Sequence, residues 1–574
     1  RMLRDTIREE TGLVLSIRRG QGEAGDIVLR PDQALAEKAY RVHVLPEGVT
    51  VSGGSDETLL NGVMTLCQWV QRHGVQLPAL EIEDAPDLAA RAYYLDCSRG
   101  RVPTLATLKR YADILCRYKI NQWQLYIEHT YLFRHLSEAW RDDTPLTAEE
   151  ILELDAYCRA RHIELVPSLS SFGHMYKILS TKTCCDLCEL TDSEKKTFNY
   201  TYSGDHHTLR SDDARALAFI TGLIDEYAAL FTSRKFNICC DETFDLGKGR
   251  SAALVQEQGE HEVYIRHVAA LCGHLVKRGI TPLFWGDIVY RHPETYARLP
   301  KETICLNWGY LPNQREDEIR TLAEMGATQY ACPGVCTWNR WLPLMENSYK
   351  NIRVMCRHGQ KYHAIGMLNT DWGDYGHICH PWLSVPGILY GAAFSWNAQE
   401  IPFDEINRAI SFLEYGDRSE TWVSALAQLT DYEVWDWFHT VRWIEEGDAA
   451  RQAEILADAH VERVPTENAA IAAALERLDE AAVQLRPDQR QLLQAVHTAA
   501  DGASIFNEIG LYLSQEPSPE QGDALAVRLE NWLYAFLQLW RGVSKETTVR
   551  RVQRVVTDYA NVLRGRELPR NLHP

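Results

Sequence analysis

The sequence predicts an α/β fold: a (β/α)8 TIM barrel over residues 89–402, preceded by a small α+β domain over residues 1–88 and followed by an α-helical domain over residues 403–574. Short apolar runs alternate with amphipathic stretches between residues 91 and 400, which is typical of a parallel sheet with crossover helices. The eight such runs indicate a closed barrel. A doubly wound sheet is the alternative, but no glycine-rich phosphate loop follows the first run.

Composition and charge narrow the class of protein. Apolar residues make up 45% of the 574 residues and charged residues 24%, close to the average of ordered globular proteins. The 60 basic and 79 acidic residues give a net charge of -19, so no basic surplus is present to bind nucleic acid or an anionic membrane. No apolar run is long enough to predict a membrane span. We expect a neutral substrate and no nucleic-acid or membrane partner.

The cysteine content predicts reduced thiols. The 15 cysteines are an odd number spread over a long chain, unlike the dense pattern of a disulfide scaffold. No signal-peptide pattern precedes the first predicted strand. We therefore expect a cytoplasmic protein.

The N-terminal residues predict a small domain with at least two strands and a helix. Tyr40–Val44 alternates like a half-buried strand, and Val49–Val51 follows as a second strand after a turn. Apolar residues recur at helical spacing over Leu60–Val70, with Ser55 as the predicted N-cap. Residues 80–86 are interpreted as the linker that leaves this domain.

Polar and aromatic residues cluster at the predicted C-terminal ends of the barrel strands, where the reacting groups of such barrels lie. The predicted strands are Ala92–Asp96, Ile120–Ile127, Ile163–Pro167, Phe236–Cys240, Pro282–Trp285, Ile304–Asn307, Gln329–Cys332 and Ile365–Asn369. The residues at their ends are, in the same order, Asp96–Arg99, Glu128–His129, Phe172–His174, Asp241–Glu242, Trp285–Asp287, Trp308, Trp338–Asn339 and Asp371–Asp374. Tryptophans at these ends favour a sugar pocket over a scatter of core residues.

The Asp241–Glu242 pair is the clearest candidate for chemistry. Desolvation and like charge both raise the pKa of a carboxyl group, so such a pair is expected to keep one acid protonated near neutral pH. Neighbouring residues have Cα atoms about 3.8 Å apart and are poorly placed to flank a sugar ring from opposite faces. They can instead serve one side of it, which points towards substrate-assisted hydrolysis.

The last part of the chain predicts helices. One buried helix face is indicated by Ile471, Leu475, Leu478, Ala482 and Leu485, with Thr466 as its cap. Similar patterns recur over Leu492–Ala500 and Leu525–Trp540. No feature here indicates chemistry, so a packing or oligomerisation role is favoured, and a homodimer is the working hypothesis.

The order of these motifs resembles glycoside hydrolase family 20, the β-N-acetylhexosaminidases, over about residues 12–400. The matching segments are Asp96–Arg99 for the Asp-x-x-Arg pattern, Pro167 with Gly173–His174, Asn237–Glu242 for His-x-Gly-Gly-Asp-Glu, Trp372–Asp374 for Trp-x-Glu, and Val385–Trp396 for the closing barrel helix. Two glycines of the pattern are replaced by Cys239 and Cys240, and its eighth-strand Glu by Asp374. The strand-seven region around Trp338 departs from the usual Tyr-x-Asp.

The resemblance implies an exo-acting retaining hydrolase of terminal β-linked GlcNAc or GalNAc that needs no cofactor or metal. Glu242 would be the general acid and base, and Asp241 would orient the 2-acetamido group of the substrate. Substrate binding would fall to Arg99, His174, Trp285, Trp308, Trp338, Trp372 and Asp374. The tyrosine that holds the acetamido oxygen is not placed by motif, and Tyr375 is a candidate. Asn339 or Asp287 would replace a hydroxyl ligand.

Three other functions are weighed against this one. Cys184, Cys185 and Cys188, followed by His206–His207, resemble half of a zinc site, but no second Cys-x-x-Cys is present, so an incidental cluster is favoured over a metal-dependent hydrolase. A non-catalytic sugar-binding barrel has no need of a protonated acid. An O-GlcNAcase-like hydrolase tends to use two Asp residues, whereas Glu242 is present here.

Overall fold

The N-terminal part is a four-stranded sheet covered by two helices. The computed structural model describes residues 1–487, 489, 491–515 and 518–566. The strands β1 (Ile27–Pro31), β2 (Tyr40–Leu45), β3 (Gly48–Gly53) and β4 (Leu80–Asp84) lie in the order β1-β3-β2-β4. The Ser55 hydroxyl accepts the Thr58 N–H at 3.3 Å, so the predicted N-cap is confirmed. The linker interpretation of residues 80–84 is wrong, because they pair antiparallel with β2 as an edge strand.

Eight parallel strands close into the predicted barrel. They are β5 (Ala90–Asp96), β6 (Gln122–Ile127), β7 (Glu164–Leu169), β8 (Lys235–Asn237), β9 (Thr281–Trp285), β10 (Ile304–Trp308), β11 (Thr328–Cys332) and β12 (Gly366–Asp371). The last strand pairs with the first, in the register Leu368 to Ala92, which closes the ring. Because all eight strands are parallel, their C-terminal ends meet at one face of the barrel.

The fourth barrel strand ends three residues earlier than predicted. Cys239 and Cys240 have φ angles of 57° and 68°, in the left-handed region, so the chain turns away from the sheet after Asn237. The Asn237 side chain holds this turn by accepting the Cys239 N–H at 2.9 Å. The turn explains why glycines suit these positions in the family pattern, since a residue with a Cβ pays about 1–2 kcal/mol for this conformation.

Helices cover the outside of the barrel and form the rest of the chain. They are α1 (Met2–Thr11), α2 (Asp56–His73), α3 (Leu105–Arg117), α4 (Ser137–Trp140), α5 (Ala148–Arg159), α6 (Tyr176–Leu179), α7 (Tyr200–Asp205), α8 (Ala214–Ala228), α9 (Ala252–Gln258), α10 (Glu260–Val276), α11 (Asp287–Arg291), α12 (Asp317–Glu324), α13 (Met345–Lys361), α14 (Val385–Trp396), α15 (Phe403–Leu413), α16 (Trp422–Ala427), α17 (Trp437–Glu445), α18 (Ala449–Asp458), α19 (Val464–Ala482), α20 (Gln491–Leu513), α21 (Pro519–Val543) and α22 (Val549–Leu563). The segment expected to close the barrel is α14, which packs on β5 and β12.

The C-terminal helices pack directly on the barrel. Trp341, which follows β11, is enclosed by an aromatic cluster of Trp437, Phe506, Trp532 and Phe536. The predicted cap Thr466 is wrong: α19 begins two residues earlier, at Val464, because a proline suits the first turn of a helix and Pro465 occupies it. The domain boundaries at residues 88 and 402 stay predictions.

All 15 cysteines lie in the described part of the chain and are free thiols. Over the same residues, no helix is both long and apolar enough to cross a membrane.

Candidate active site

One cavity at the C-terminal ends of the barrel strands brings together all nine residues predicted from the sequence. Its volume is about 320 Å³. The predicted residues that line it are Arg99, His174, Asp241, Glu242, Trp285, Trp308, Trp338, Trp372 and Asp374. The further lining residues are Tyr200, Ser203, Gly204, Phe244, Tyr310, Asn339, Tyr375 and Phe438. The roles assigned to these residues stay predictions.

The two carboxylates lie on one side of the cavity and share a histidine. His174 Nε2 is 3.1 Å from Glu242 Oε2 and 3.6 Å from Asp241 Oδ2. His174 is buried, whereas the Glu242 side chain is 38% exposed and so is accessible from the cavity. Positive φ angles at His174 and Glu242, of 53° and 46°, turn both loops into this contact. The two carboxylates are therefore close neighbours on the same part of the cavity wall.

His174 lowers the pKa of Glu242, whereas the sequence predicted that the pKa of such a pair is raised. Burial opposes a charge on His174, but its hydrogen bonds to Asp241 and Glu242 outweigh burial and raise its pKa well above the usual value. Burial alone would raise the pKa of Glu242, but the hydrogen bond and charge of His174 lower it instead. The expectation that like charge and desolvation raise the pKa is therefore wrong for Glu242, because the two adjacent acids in the sequence do not show the neighbouring cation, His174.

Arg99, which also lines the cavity, is held in place by two carboxylates. Its Nε donates to Asp96 Oδ2 at 2.8 Å, and its Nη1 lies 3.5 Å from Asp374 Oδ1. The Asp96 carboxylate also accepts the backbone N–H groups of Ser98 and Gly373, so the end of β5 is tied to the loop after β12. The guanidinium is held with little freedom, which suits a group that orients hydroxyls.

Aromatic rings form part of the cavity wall. Trp285 and Trp372 lie 5.4 Å apart, and both contact Tyr94 edge-on from the barrel interior. Trp308 stacks on Tyr310 with ring centroids 5.4 Å apart. The result is an apolar enclosure open towards the carboxylates.

Tyr310 is a lining residue that the sequence analysis missed. Its hydroxyl accepts the Trp372 indole N–H at 2.7 Å, so a phenol oxygen stands inside the tryptophan wall. Its position two residues after Trp308, at the end of β10, was a usable signal. The earlier candidate Tyr375 also lines the cavity, but it stacks on Phe438 with the rings nearly parallel at 5.7 Å.

Asn339 and Asp287, which were expected to replace a residue that binds a sugar hydroxyl, differ in their position relative to the cavity. Asn339 lines the cavity, and its Nδ2 donates to Asp374 Oδ2 at 3.4 Å. Asp287 is not a lining residue and is buried. That burial raises the pKa of Asp287 to about 7, with the charge of Asp241 as a further cause. Asp287 therefore lies near the carboxylate pair without lining the cavity, and its role stays a prediction.

Distant segments complete the rim. Tyr200, Ser203 and Gly204 come from α7, and Phe438 comes from α17 of the C-terminal helices. Glu445, also on α17, accepts the backbone N–H groups of Tyr200 and Thr201, each at 2.9 Å, and so caps α7. The C-terminal helices therefore contribute to the cavity, which no local pattern in the sequence indicated.

Two groups in the described residues have ligand atoms close enough together to hold a metal ion. They are His174–Asp241–Glu242 and the surface group His261–His292–Glu294. Neither group includes the cysteines of the 184–188 cluster, and in that cluster Cys184 and Cys188 are buried.

An eight-stranded barrel with a carboxylate pair beside a tryptophan-walled cavity defines a protein of the glycoside hydrolase class. Two family models match the chain: "Glycosyl hydrolase family 20, catalytic domain" over residues 89–338 and "Glycosyl hydrolase family 20, domain 2" over residues 1–85. Together they cover more than half of it. The chain belongs to glycosyl hydrolase family 20.

Similar proteins agree with this assignment. A beta-hexosaminidase of Akkermansia muciniphila is 26% identical over 308 residues, covering 48% of this chain and 61% of that protein. A beta-hexosaminidase of Vibrio furnissii is 26% identical over 319 residues, covering 50% and 51%. This chain thus spans between half and two thirds of the length of these curated relatives.

Solved structures share the fold at low identity. An exo beta-N-acetylglucosaminidase of Vibrio harveyi, in complex with N-acetylglucosamine, has a TM-score of 0.57 at 18% identity, covering 74% of this chain and 72% of that one. An N-acetyl-beta-hexosaminidase of Streptomyces plicatus has a TM-score of 0.57 at 19% identity, covering 74% and 88%.

Proposed function

We propose that this protein is an exo-acting retaining β-N-acetylhexosaminidase that removes terminal β-linked GlcNAc or GalNAc from an oligosaccharide or glycoconjugate. The observation that carries the proposal is the placement of Asp241 and Glu242 around His174 in a cavity that Arg99 and four tryptophans also line. A volume of about 320 Å³ is at the lower end for ligand sites and suits a single sugar ring.

The reaction begins with attack from within the substrate. The acetamido oxygen of the sugar bonds to the anomeric carbon while the glycosidic C–O bond breaks, and Glu242 gives its proton to the leaving oxygen. Asp241 accepts the acetamido N–H and stabilises the positive charge of the resulting oxazolinium ion. A water molecule then opens this ion as Glu242 takes back a proton. Two inversions at the anomeric carbon retain its configuration.

His174 supplies and stores the proton of Glu242. The imidazolium of His174 holds the pKa of Glu242 low, and we assign the shared proton to His174 Nε2, 3.1 Å from the carboxylate. Movement of that proton along the hydrogen bond produces the acid and leaves a neutral imidazole. The two groups titrate as one unit.

The aromatic wall selects the acetamido group. Trp285, Trp308 and Trp372 enclose a space for a methyl group, and the Tyr310 hydroxyl inside the wall is our candidate to hold the acetamido oxygen. Fixing this oxygen next to the anomeric carbon replaces a bimolecular encounter by an oriented one. A homodimer and a cytoplasmic location remain part of the proposal.

The first experiment compares aryl β-glycosides of GlcNAc, GalNAc and glucose, with and without EDTA. We expect turnover of the N-acetyl sugars alone, unchanged by EDTA. Equal turnover of the glucoside would contradict acetamido assistance. Binding of GlcNAc without turnover of any glycoside would favour a non-catalytic sugar-binding barrel, and loss of activity with EDTA would favour a metal at His174–Asp241–Glu242.

A further inference from the structure

The surface group of two histidines and a glutamate lies on the same face of the barrel as the sugar cavity, but outside it. His261 is in the first turn of α10, and His292 directly follows α11. Both helices come after the C-terminal ends of their barrel strands, β8 and β9, so these residues belong to the face where the strands end. None of His261, His292 and Glu294 lines the sugar cavity. The proposed reaction makes no use of them.

The three side chains bring metal-ligating atoms together. The two imidazole rings face each other, with ring centroids 4.6 Å apart and planes 10° from parallel. His292 Nδ1 lies 3.6 Å from Glu294 Oε1. One ligand atom of each residue lies within 4.8 Å of the other two. Imidazole nitrogens with a carboxylate oxygen are the ligands that Zn²⁺ and related divalent transition metals take in proteins.

The ligand atoms of this group are not used by other contacts. Among the described residues, neither imidazole takes part in a hydrogen bond, and the Glu294 carboxylate approaches only His292. The 3.6 Å between these two groups is too long for a hydrogen bond. Ligand atoms on one tetrahedral zinc lie about 3.3 Å apart, which is close to this separation. Elsewhere in the chain, histidines contact a carboxylate at 2.8 Å, as at His129, His206 and His274.

The backbone that carries the ligands is already held in place. The His292 carbonyl accepts the Thr295 N–H at 3.0 Å and its hydroxyl at 2.7 Å, which fixes the turn that places Glu294 beside the ring. Glu262, in the first turn of α10, pairs with Arg298 at 2.6 Å and ties the helix to the segment after α11. Only side-chain rotations are then needed to tilt the stacked rings towards one ion. The His292 and Glu294 side chains are 43% and 65% exposed and so are free to rotate.

The charges around the group favour a cation. Within the described residues, the exposed carboxylates of Glu260 and Glu294 have no lysine or arginine partner. The nearby Glu262 is neutralised by Arg298. Arg291 precedes the second histidine, but its guanidinium lies over the Tyr290 ring, 5.7 Å from the centroid. Two carboxylates therefore remain to offset the charge of a bound divalent ion.

We propose that His261, His292 and Glu294 bind one divalent transition-metal ion, with Zn²⁺ as the expected ion and water at the remaining position. The ion links the start of α10 to the segment after α11. It therefore stabilises the loop after β9, the strand whose last residue, Trp285, lines the sugar cavity. The ion does not touch the substrate, so this inference stands apart from the proposed function.

The test is a calorimetric titration of the EDTA-treated, desalted protein with Zn²⁺. We expect one ion per chain, and His261→Gln and His292→Gln should each weaken its binding by about tenfold or more. A parallel titration with Co²⁺ identifies the ligands by absorption. Histidine and carboxylate ligands give visible bands alone, whereas a site that used the Cys184–Cys188 cluster would add strong thiolate bands in the near ultraviolet.

A matched control is His460→Gln. His460 Nδ1 also lies 3.6 Å from the carboxylate two residues later, on Glu462, but the described residues place no second imidazole beside them. This variant should bind Zn²⁺ like the wild type, and so should His174→Gln, which alters the carboxylate site.

Absence of Zn²⁺ binding by the wild type would overturn the inference. Loss of binding in His174→Gln, with His261→Gln and His292→Gln unchanged, would also overturn it and place the ion at the carboxylate pair. Thiolate bands in the Co²⁺ spectrum would place it at the cysteines instead. Turnover of the aryl glycosides is measured separately, so a protein that binds no zinc but cleaves them leaves the proposed function standing. The wild-type titration and spectrum decide even if a variant does not fold.

Discussion

Replacement of Glu242 by Gln separates acid catalysis from binding. The amide keeps the shape of the side chain next to His174, but it has no proton to transfer. General acid catalysis contributes about 10²–10⁴-fold, which is about 3–5 kcal/mol of activation free energy. Because the side chain is 38% exposed, little packing is lost, and the melting temperature should change by no more than about 2 °C.

The size of the loss should depend on the leaving group. With a disaccharide, whose leaving oxygen needs a proton, we expect kcat/KM of Glu242→Gln to fall about 10²–10⁴-fold. With a 2,4-dinitrophenyl glycoside, which leaves as a stable anion, the fall should be less than about tenfold. Glu257→Gln, an exposed glutamate on α9, is the control. An equal loss on both substrates would refute Glu242 as the proton donor.

Three more substitutions test neighbouring steps. Asp241→Asn should lower the GlcNAc-to-glucose rate ratio about tenfold or more, measured on aryl glycosides, since the carboxylate no longer stabilises the oxazolinium charge; an unchanged ratio contradicts that role. His174→Gln should move the alkaline limb of the pH–kcat/KM profile to lower pH, because the proton of the pair is no longer held by a group with a raised pKa; an unmoved limb speaks against a shared proton. Burial raises the pKa of Glu445 to about 7, so its stability contribution falls as pH rises from about 4.5 to 7. Glu445→Gln should therefore gain about 3 kcal/mol relative to wild type between pH 5 and 8 in denaturant unfolding, and a constant difference refutes this.

Much of the candidate site could be predicted from the sequence because its residues follow the C-terminal ends of the barrel strands. Residues such as Arg99, Glu242 and Trp372 follow directly after buried strands, and closure of the barrel brings all such ends to one face. The alternation of strands and helices therefore located the site before any contact was known. Tyr310 also follows the end of a barrel strand, so the same rule could have predicted it as a lining residue.

The lining residues that the sequence did not predict are brought to the cavity by long-range contacts. Phe438 lies 67 residues beyond Asp371, the last residue of β12, and nothing in its neighbouring sequence marks it as part of a cavity wall. The cap of α7 by Glu445 joins residues 245 positions apart. The lowered pKa of Glu242 was not predicted for a similar reason. His174 follows a different strand, so the sequence showed two adjacent acids that repel each other but not the cation that stabilises their charge.

The C-terminal helices contribute residues to the candidate site and to the elements around it. Phe438 stacks on Tyr375 at the rim, Glu445 holds α7 with its Tyr200, and Arg551 of α22 lines a second, smaller cavity that shares Arg99 and Asp374 with the first. Three separate helical contributions of this kind are not expected of a domain whose sole purpose is packing or assembly. Because the barrel supplies the carboxylate pair and the tryptophan wall while these helices supply the rim, the chemistry resides in the barrel. We therefore expect the choice of substrate to depend on the helices that cover it.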